Sequence, residues 1–363
     1  MTEDIQRIVV RGTNWVGDAV MTVPALRELR QLFPDAHLTL ATRSWAQELF
    51  AEADFIDDLL VNDRRGLAAL SAQVREWKSR KFDLAVLFQN AFEAALIPAL
   101  ARVPFRVGYA TERRGFLLTH PLPLPDWRSS KHEVFYYLNV VAALERLLKG
   151  GERSCDDYEP DARLNLSEGR RAGAVNFLAR HGVKGDRKLI ALCPGSINSR
   201  AKRWPADSFA ALADLLIEHQ AQVLLIGSPE ESDVSLEVAR HMRNDPIILT
   251  GNTTLSQVIE VLEAVDLLIT NDTGPAHIAA ALGRPTIVIF GPTNPLTTRP
   301  FSANAEIVRH PPECAPCMLR DCPIDHRCMT AISPAEVFDR AQIIIGAPES
   351  LHDPGLHPTG AVA

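Results

Sequence analysis

The residues best suited to chemistry open in GTNWVGDAVMTVPAL, Gly12 to Leu26, which sets a carboxylate, Asp18, where a strand gives way to a helix. The preceding RIVV, Arg7 to Val10, reads as a short buried strand, and Ala19, Val20, Val23 and Leu26 recur at helical spacing. Ligands of open α/β sheets bind at the carboxyl ends of the strands, so an acid there can act on something held above the sheet. Asp is also a common helix N-cap, and this segment alone leaves base and cap as equal readings.

A second constellation suits an anion. NDTGPAHIAAALGRPTIVIFGPT, Asn271 to Thr293, puts Asp272, Thr273 and Gly274 just after a strand and at the mouth of a helix carrying His277. Gly274 permits close backbone approach, and a helix N-terminus offers unpaired N–H groups and a favourable dipole to a diphosphate. His277 either donates to a phosphate or packs. In SINSRAKRWPADSF, Lys202 stands on a loop before Trp204 and Pro205 begin a helix, a mobile point charge suited to phosphate or a solvated loop lysine. In SPEESDV, Glu230 or Glu231 follows Gly227 and either accepts from ribose hydroxyls or complements a helix dipole.

Alternating strands and helices must position these groups. The first series of apolar runs holds RIVV, HLTLAT from His37, DDLLV from Asp57 and DLAVLF from Asp83. The second holds KLIALCPG from Lys188, QVLLIG from Gln222, PIILTG from Pro246, DLLIT from Asp266 and PTIVIFG from Pro285. Separated by amphipathic segments, they predict an α/β chain with two doubly wound sheets. The polar stretch Gly150 to Gly169 reads as a linker with its boundary near Pro160, and SLHDPGLHPTGAVA, from Ser350, as a disordered tail.

A length of 363 residues with 46% hydrophobic and 23% charged residues suits two soluble globular domains. A net charge of -7 argues against a nucleic-acid binder. With neither a hydrophobic leader before the first strand nor an apolar run near the roughly 18 residues of a membrane span, a cytoplasmic protein is expected. Six cysteines then read as reduced thiols or metal ligands.

Dinucleotide oxidoreductases need G-x-G-x-x-G after the first strand and an acid closing the second. Here Gly12 and Gly17 are separated by four residues and the second strand closes on Thr42. A P-loop also fails, because no Gly-Lys-Ser/Thr follows. The second domain is therefore the candidate nucleotide binder.

Taken in order, NWVGDAVMTVPAL, PGSINSRAKRWP, ITNDTGPAHIAAALGRPTIVIFGPT and CAPCMLRDCPIDHRCM resemble the bacterial ADP-heptose:lipopolysaccharide heptosyltransferases of glycosyltransferase family 9, in particular the heptosyltransferase II branch. The resemblance spans about residues 7 to 340. It implies a GT-B fold, two Rossmann-like domains facing across a cleft. Residues 1–160 would bind the acceptor, 161–349 would bind the ADP-sugar and send a final helix, around Ser333 to Ile344, back to the first domain, and 350–363 would be the tail.

By the same resemblance the catalytic carboxylate falls on Asp18 and the phosphate-binding lysine on Lys202. Donor contacts fall on Asp272, Thr273, Gly274 and His277, a ribose or base contact on Glu230 or Glu231, and Thr253 beside the adenine. Asn14 and Ser196, inside the first two motifs, join the substrate-binding set. The implied partners are ADP-heptose and a lipid A–Kdo–heptose acceptor reached by peripheral contact with the inner face of the inner membrane, with no nucleic acid. No cofactor is implied.

Such an acceptor is anionic and needs local cations. Arg64 and Arg65, Arg113 and Arg114, and Arg106 are candidates, against a bland reading as solvated loop arginines. Asn90 also falls at a strand's carboxyl end. Without a DxD-like carboxylate pair beside the anion site, transfer is expected to be metal-independent, with Lys202 and the helix mouth stabilising the leaving diphosphate. Cys314, Cys317, Cys322 and Cys328, with His310 and His326 nearby, have the density of a zinc site but lack two C-x2-C pairs, so zinc, reduced thiols and a redox pair stay open. Other readings are a sister enzyme using Kdo or another surface glycan as acceptor and a silent nucleotide-sugar binder. A sugar epimerase would need acidic pairs that are not found.

Overall fold

A computed structural model describes residues 5–63 and 66–346. The chain divides after Ala162 into two compact units. In the first, apolar runs form parallel strands that are buried on both faces at the centre of the sheet, as a cover of helices requires. These are β1 (Arg7–Arg11), β2 (His37–Thr42), β3 (Asp58–Val61), β4 (Leu84–Leu87), β5 (Phe105–Tyr109) and β6 (His120–Leu122), in the order β3-β2-β1-β4-β5-β6. Every pairing is parallel; Val9 faces Thr39 on one side and Ala85 on the other. The strand order reverses between β1 and β4, so their carboxyl ends diverge there and leave a crevice.

The second unit repeats this winding. Its strands are β7 (Leu189–Cys193), β8 (Gln222–Leu225), β9 (Ile247–Ile248), β10 (Leu267–Asn271), β11 (Thr286–Ile289) and β12 (Ala305–Val308), in the order β12-β11-β10-β7-β8-β9. The switch point lies between β7 and β10. All five residues of β7 and all five of β10 are buried, which fixes where both strands end and the loops beyond them begin.

Three strands escaped the sequence pattern: β5, β6 and β12. Their sequences, FRVGY, HPL and AEIV, interrupt the apolar run with charged or polar residues, and β6 carries Pro121, tolerated at a sheet edge where no donor is needed. The final helix is present as Pro334–Gly346. Its buried Val337 and Ala341 belong to the second unit's core, with Phe209 and Leu212. The tail from Ser350 lies outside the described residues. Among the described residues no helix is long and apolar enough to cross a membrane.

Candidate active site

At the β7/β10 switch two side chains in succession tie the loops together. Asn271, fully buried, accepts from the Trp204 N–H at 3.0 Å and donates to the carbonyls of Pro194 at 2.8 Å and Gly195 at 3.1 Å. Asp272, 4% exposed, pairs through Oδ2 with Lys202 Nζ at 2.7 Å and accepts from Thr293 Oγ1 at 2.7 Å. Lys202 also donates to the Asp272 carbonyl at 3.2 Å. Of the three N–H donors on Lys202, one is thereby left for a ligand. The last residue of β10 and the one after it thus hold in place the loop after β7, which in sequence lies some seventy residues away.

The two glutamates at β8 separate cleanly. Glu230 is exposed, whereas Glu231 is buried and accepts from the Ser228 N–H at 2.8 Å. Its carboxylate lies against Gly195, where a Cβ would stand 2.2 Å from Oε1. Only glycine lets the loop after β7 approach that closely. Gly195→Ala is expected to cost about 1–3 kcal/mol, read from the denaturation midpoint. The cost should fall sharply when Glu231→Ala is added; an equal cost in both backgrounds would mean that the crowding is unimportant.

Ser196 is buried, and its carbonyl accepts from Arg203 Nη2 at 2.9 Å, which closes the β7 loop back on the Lys202 turn. Thr253 keeps a buried hydroxyl with no protein partner, a loose end suited to a ligand.

Thr273 is the N-cap of the helix Gly274–Ala281 without a side-chain cap bond, so the first N–H groups of that helix are not taken by its own cap. His277, in its first turn, is 6% exposed and its Nδ1 has no partner. Burial, opposed by the Asp272 carboxylate and assisted by the Lys202 ammonium, pulls its pKa down to about 4. In the ligand-free protein the ring is therefore neutral at physiological pH.

The unfolded chain takes up this proton near pH 6.5 and the folded chain only near 4, so stability is lost as pH falls through that window. The loss should be on the order of 3 kcal/mol. Urea unfolding between pH 7 and 4 should show that component in the wild type and not in His277→Asn; identical pH slopes would mean an ordinary histidine.

The cysteine segment braces the same site from outside. The Arg320 carbonyl accepts from the Ala201 N–H at 2.9 Å and from Ser199 Oγ at 3.2 Å, and His326 Nε2 meets the Ala201 carbonyl at 2.7 Å. All six cysteines are free, and burial first, then the neighbouring Cys317, Cys322 and Cys314, push Cys328 up to about 11. Among the described residues no three metal-ligating side chains are grouped to hold an ion.

In the first unit, Asp18 is half-buried in the first turn of the helix Val16–Met21. It is not the cap: that position is Trp15, which makes no side-chain cap bond. Burial first, and the Asp18 carboxylate second, hold Tyr137 well above the ordinary phenol range. Asn14, four residues earlier, accepts from Arg43 Nε at 3.2 Å.

The arginines expected to meet an acceptor behave differently. Arg113 is exposed, but Arg114 is fully buried, donating to the carbonyls of Tyr109 and Gln89 and to Asn90 Oδ1. It is a strut between the loops after β4 and β5, unable to greet a ligand, and it draws Asn90 into the same network. Arg106 likewise donates to the Leu117 carbonyl at 2.7 Å and to that of Val103. Arg64 and Arg65 lie outside the described residues. Sequence reading passed over Arg11 and Arg43, although a charge closing the buried apolar run of β1 was a visible signal.

Two sheets with one winding order, each with polar groups gathered at the carboxyl ends of its strands, define a doubly wound α/β protein of the class that binds ligands there. The chain belongs to glycosyltransferase family 9 (heptosyltransferase), whose family model matches residues 71–327. It is 28% identical over 320 residues to lipopolysaccharide heptosyltransferase 2 of Escherichia coli K12, covering 84% of this chain and 88% of that one. To lipooligosaccharide heptosyltransferase 2 of Haemophilus ducreyi it is 30% identical over 314 residues, with the same shares. The solved structure of E. coli ADP-heptose LPS heptosyltransferase II superposes with a TM-score of 0.80 at 26% identity, covering 94% of this chain and 98% of that chain. This match places the fold in the GT-B class.

Proposed function

We propose that the chain is an inverting glycosyltransferase that moves L-glycero-D-manno-heptose from ADP-heptose to the first heptose of the lipopolysaccharide inner core. Its family and its heptosyltransferase 2 relatives support this reading. Within the molecule it rests on one observation above all, the Lys202–Asp272 pair at the mouth of the helix Gly274–Ala281. A cation anchored on a buried carboxylate, next to a helix N-terminus, suits a diphosphate leaving group. Thr253, Ser196 and Glu231 complete the donor side, with the buried Glu231 rather than the exposed Glu230 as the ribose or base contact.

Inversion requires a base to take the proton of the acceptor hydroxyl while ADP leaves the anomeric carbon. Asp18 has that role. A carboxylate is a weak base, but proton transfer can lag until the oxocarbenium-like transition state has acidified the hydroxyl. Charge growing on the diphosphate meets Lys202 and the helix N–H groups, so transfer should persist in EDTA. Loss of activity in EDTA that magnesium restores would overturn this point. The enzyme would work at the cytoplasmic face of the inner membrane in peripheral contact with it.

The deciding experiment supplies ADP-heptose with lipid A–Kdo acceptors carrying or lacking the first heptose. Transfer to the heptosylated acceptor alone is expected. Transfer to the Kdo-terminated one, or to neither while ADP-heptose binds, would refute the acceptor assignment.

A further inference from the structure

The first unit holds a polar cavity of about 330 Å³ at the carboxyl ends of β1 to β4, at its own switch point. Arg11, Asn14, Arg43, Asn62, Gln89 and Glu93 line it. Arg11 is 6% exposed; its Nη1 donates to the Ala41 carbonyl at 3.2 Å and, with the Asn62 amide turned to face it, to Asn62 oxygen at 3.1 Å. Its Nε is buried with no partner. Arg43 spends Nε on Asn14 and Nη1 on the Asn62 carbonyl at 3.0 Å, which leaves Nη2 for a ligand.

Burial first and the Arg43 guanidinium second, partly opposed by the Glu93 carboxylate, bring Arg11 down to about 10, so Arg11 is a cation at neutral pH. A buried guanidinium with an unpaired N–H beside a second cation is costly, and an anion between them offsets that cost. Gln89 Oε1 is also buried without a partner, and it needs a hydrogen donor. Glu93, which is exposed, is a second acceptor on the cavity wall. A bare phosphate dianion gives these two acceptors nothing, whereas a sugar bearing a carboxylate or phosphate supplies hydroxyl donors and the anion together. The cavity is also of a size for one small ligand.

We propose that this pocket binds an anionic sugar unit of the acceptor, its carboxylate or phosphate on Arg11 and Arg43 and its hydroxyls on Gln89 and Glu93. This rests on the transfer reading above. Asn14 stands in the loop that leads into the helix of Asp18, so a sugar seated here is registered on the element that carries the base. Arg11 and Arg43 are then specificity-determining residues, selecting an acceptor that presents an anionic sugar.

The test is calorimetric titration of the full chain with Kdo, mannose 6-phosphate, mannose and inorganic phosphate. Binding of Kdo or mannose 6-phosphate, whichever anion the site takes, should exceed that of mannose and of inorganic phosphate at least about tenfold. Arg43→Gln should weaken it roughly ten- to hundredfold, and Gln89→Met, whose side chain is free of protein bonds, should weaken it with the fold intact. The denaturation midpoint and near-UV circular dichroism of the full chain are the control for folding in both. Equal binding of inorganic phosphate, or unchanged sugar binding in both variants, overturns the proposal. If no acceptor is glycosylated yet sugar binding still depends on Arg43, the transfer reading fails and the pocket stands. If transfer proceeds with the acceptor KM unchanged in both variants, the pocket fails and the transfer reading stands.

Discussion

Asp18→Asn is expected to lower kcat by roughly 10²- to 10⁴-fold, the usual worth of a positioned general base, while ADP binds as in the wild type. The substitution keeps size and polarity and removes only basicity. Single-turnover transfer rates and a separate titration of ADP check this. The denaturation midpoint of the variant, read alongside, separates loss of rate from loss of fold. A kcat within tenfold of the wild type would remove Asp18 from the mechanism.

Lys202→Met should be the second large effect, roughly 10²- to 10³-fold in kcat for loss of charge stabilisation at the leaving group. It has a structural cost as well, because Asp272 is 5% exposed on its side chain and would be left as a buried carboxylate supported by Thr293 alone. Removing one partner of such a pair costs about 3–5 kcal/mol. Adding Asp272→Asn in the Lys202→Met background should restore much of that stability and none of the rate, which separates the two contributions. Asp272→Asn alone should slow transfer less than Lys202→Met, since the ammonium survives but loses its anchor. Strict additivity of the two substitutions in rate would show that Asp272 does not position Lys202.

Much of the site was legible in the chain because short-range patterns carry it. Buried parallel strands are continuous apolar runs, and the polar residues just past them must fall at the ligand-binding edge. That logic places Asp18 after β1, Lys202 after β7 and Asp272 to His277 after β10, where the structure has them. It failed at β5, β6 and β12, whose mixed residues lack a clear period.

What the sequence by itself determined was therefore the α/β class, the two series of strands and the segments that border them. Only the tertiary structure decided which polar side chains are tools and which are struts. Arg113 and Arg114 are neighbours in sequence, yet one is exposed and the other sealed among carbonyls; Glu230 and Glu231 part in the same way. The pairing of Lys202 with Asp272 and the gathering of Arg11, Arg43 and Gln89 around one cavity were equally invisible. The physical reason is common to all of them. The cost of burying a polar group depends on partners that come from distant segments, and the strand order alone brings those partners together.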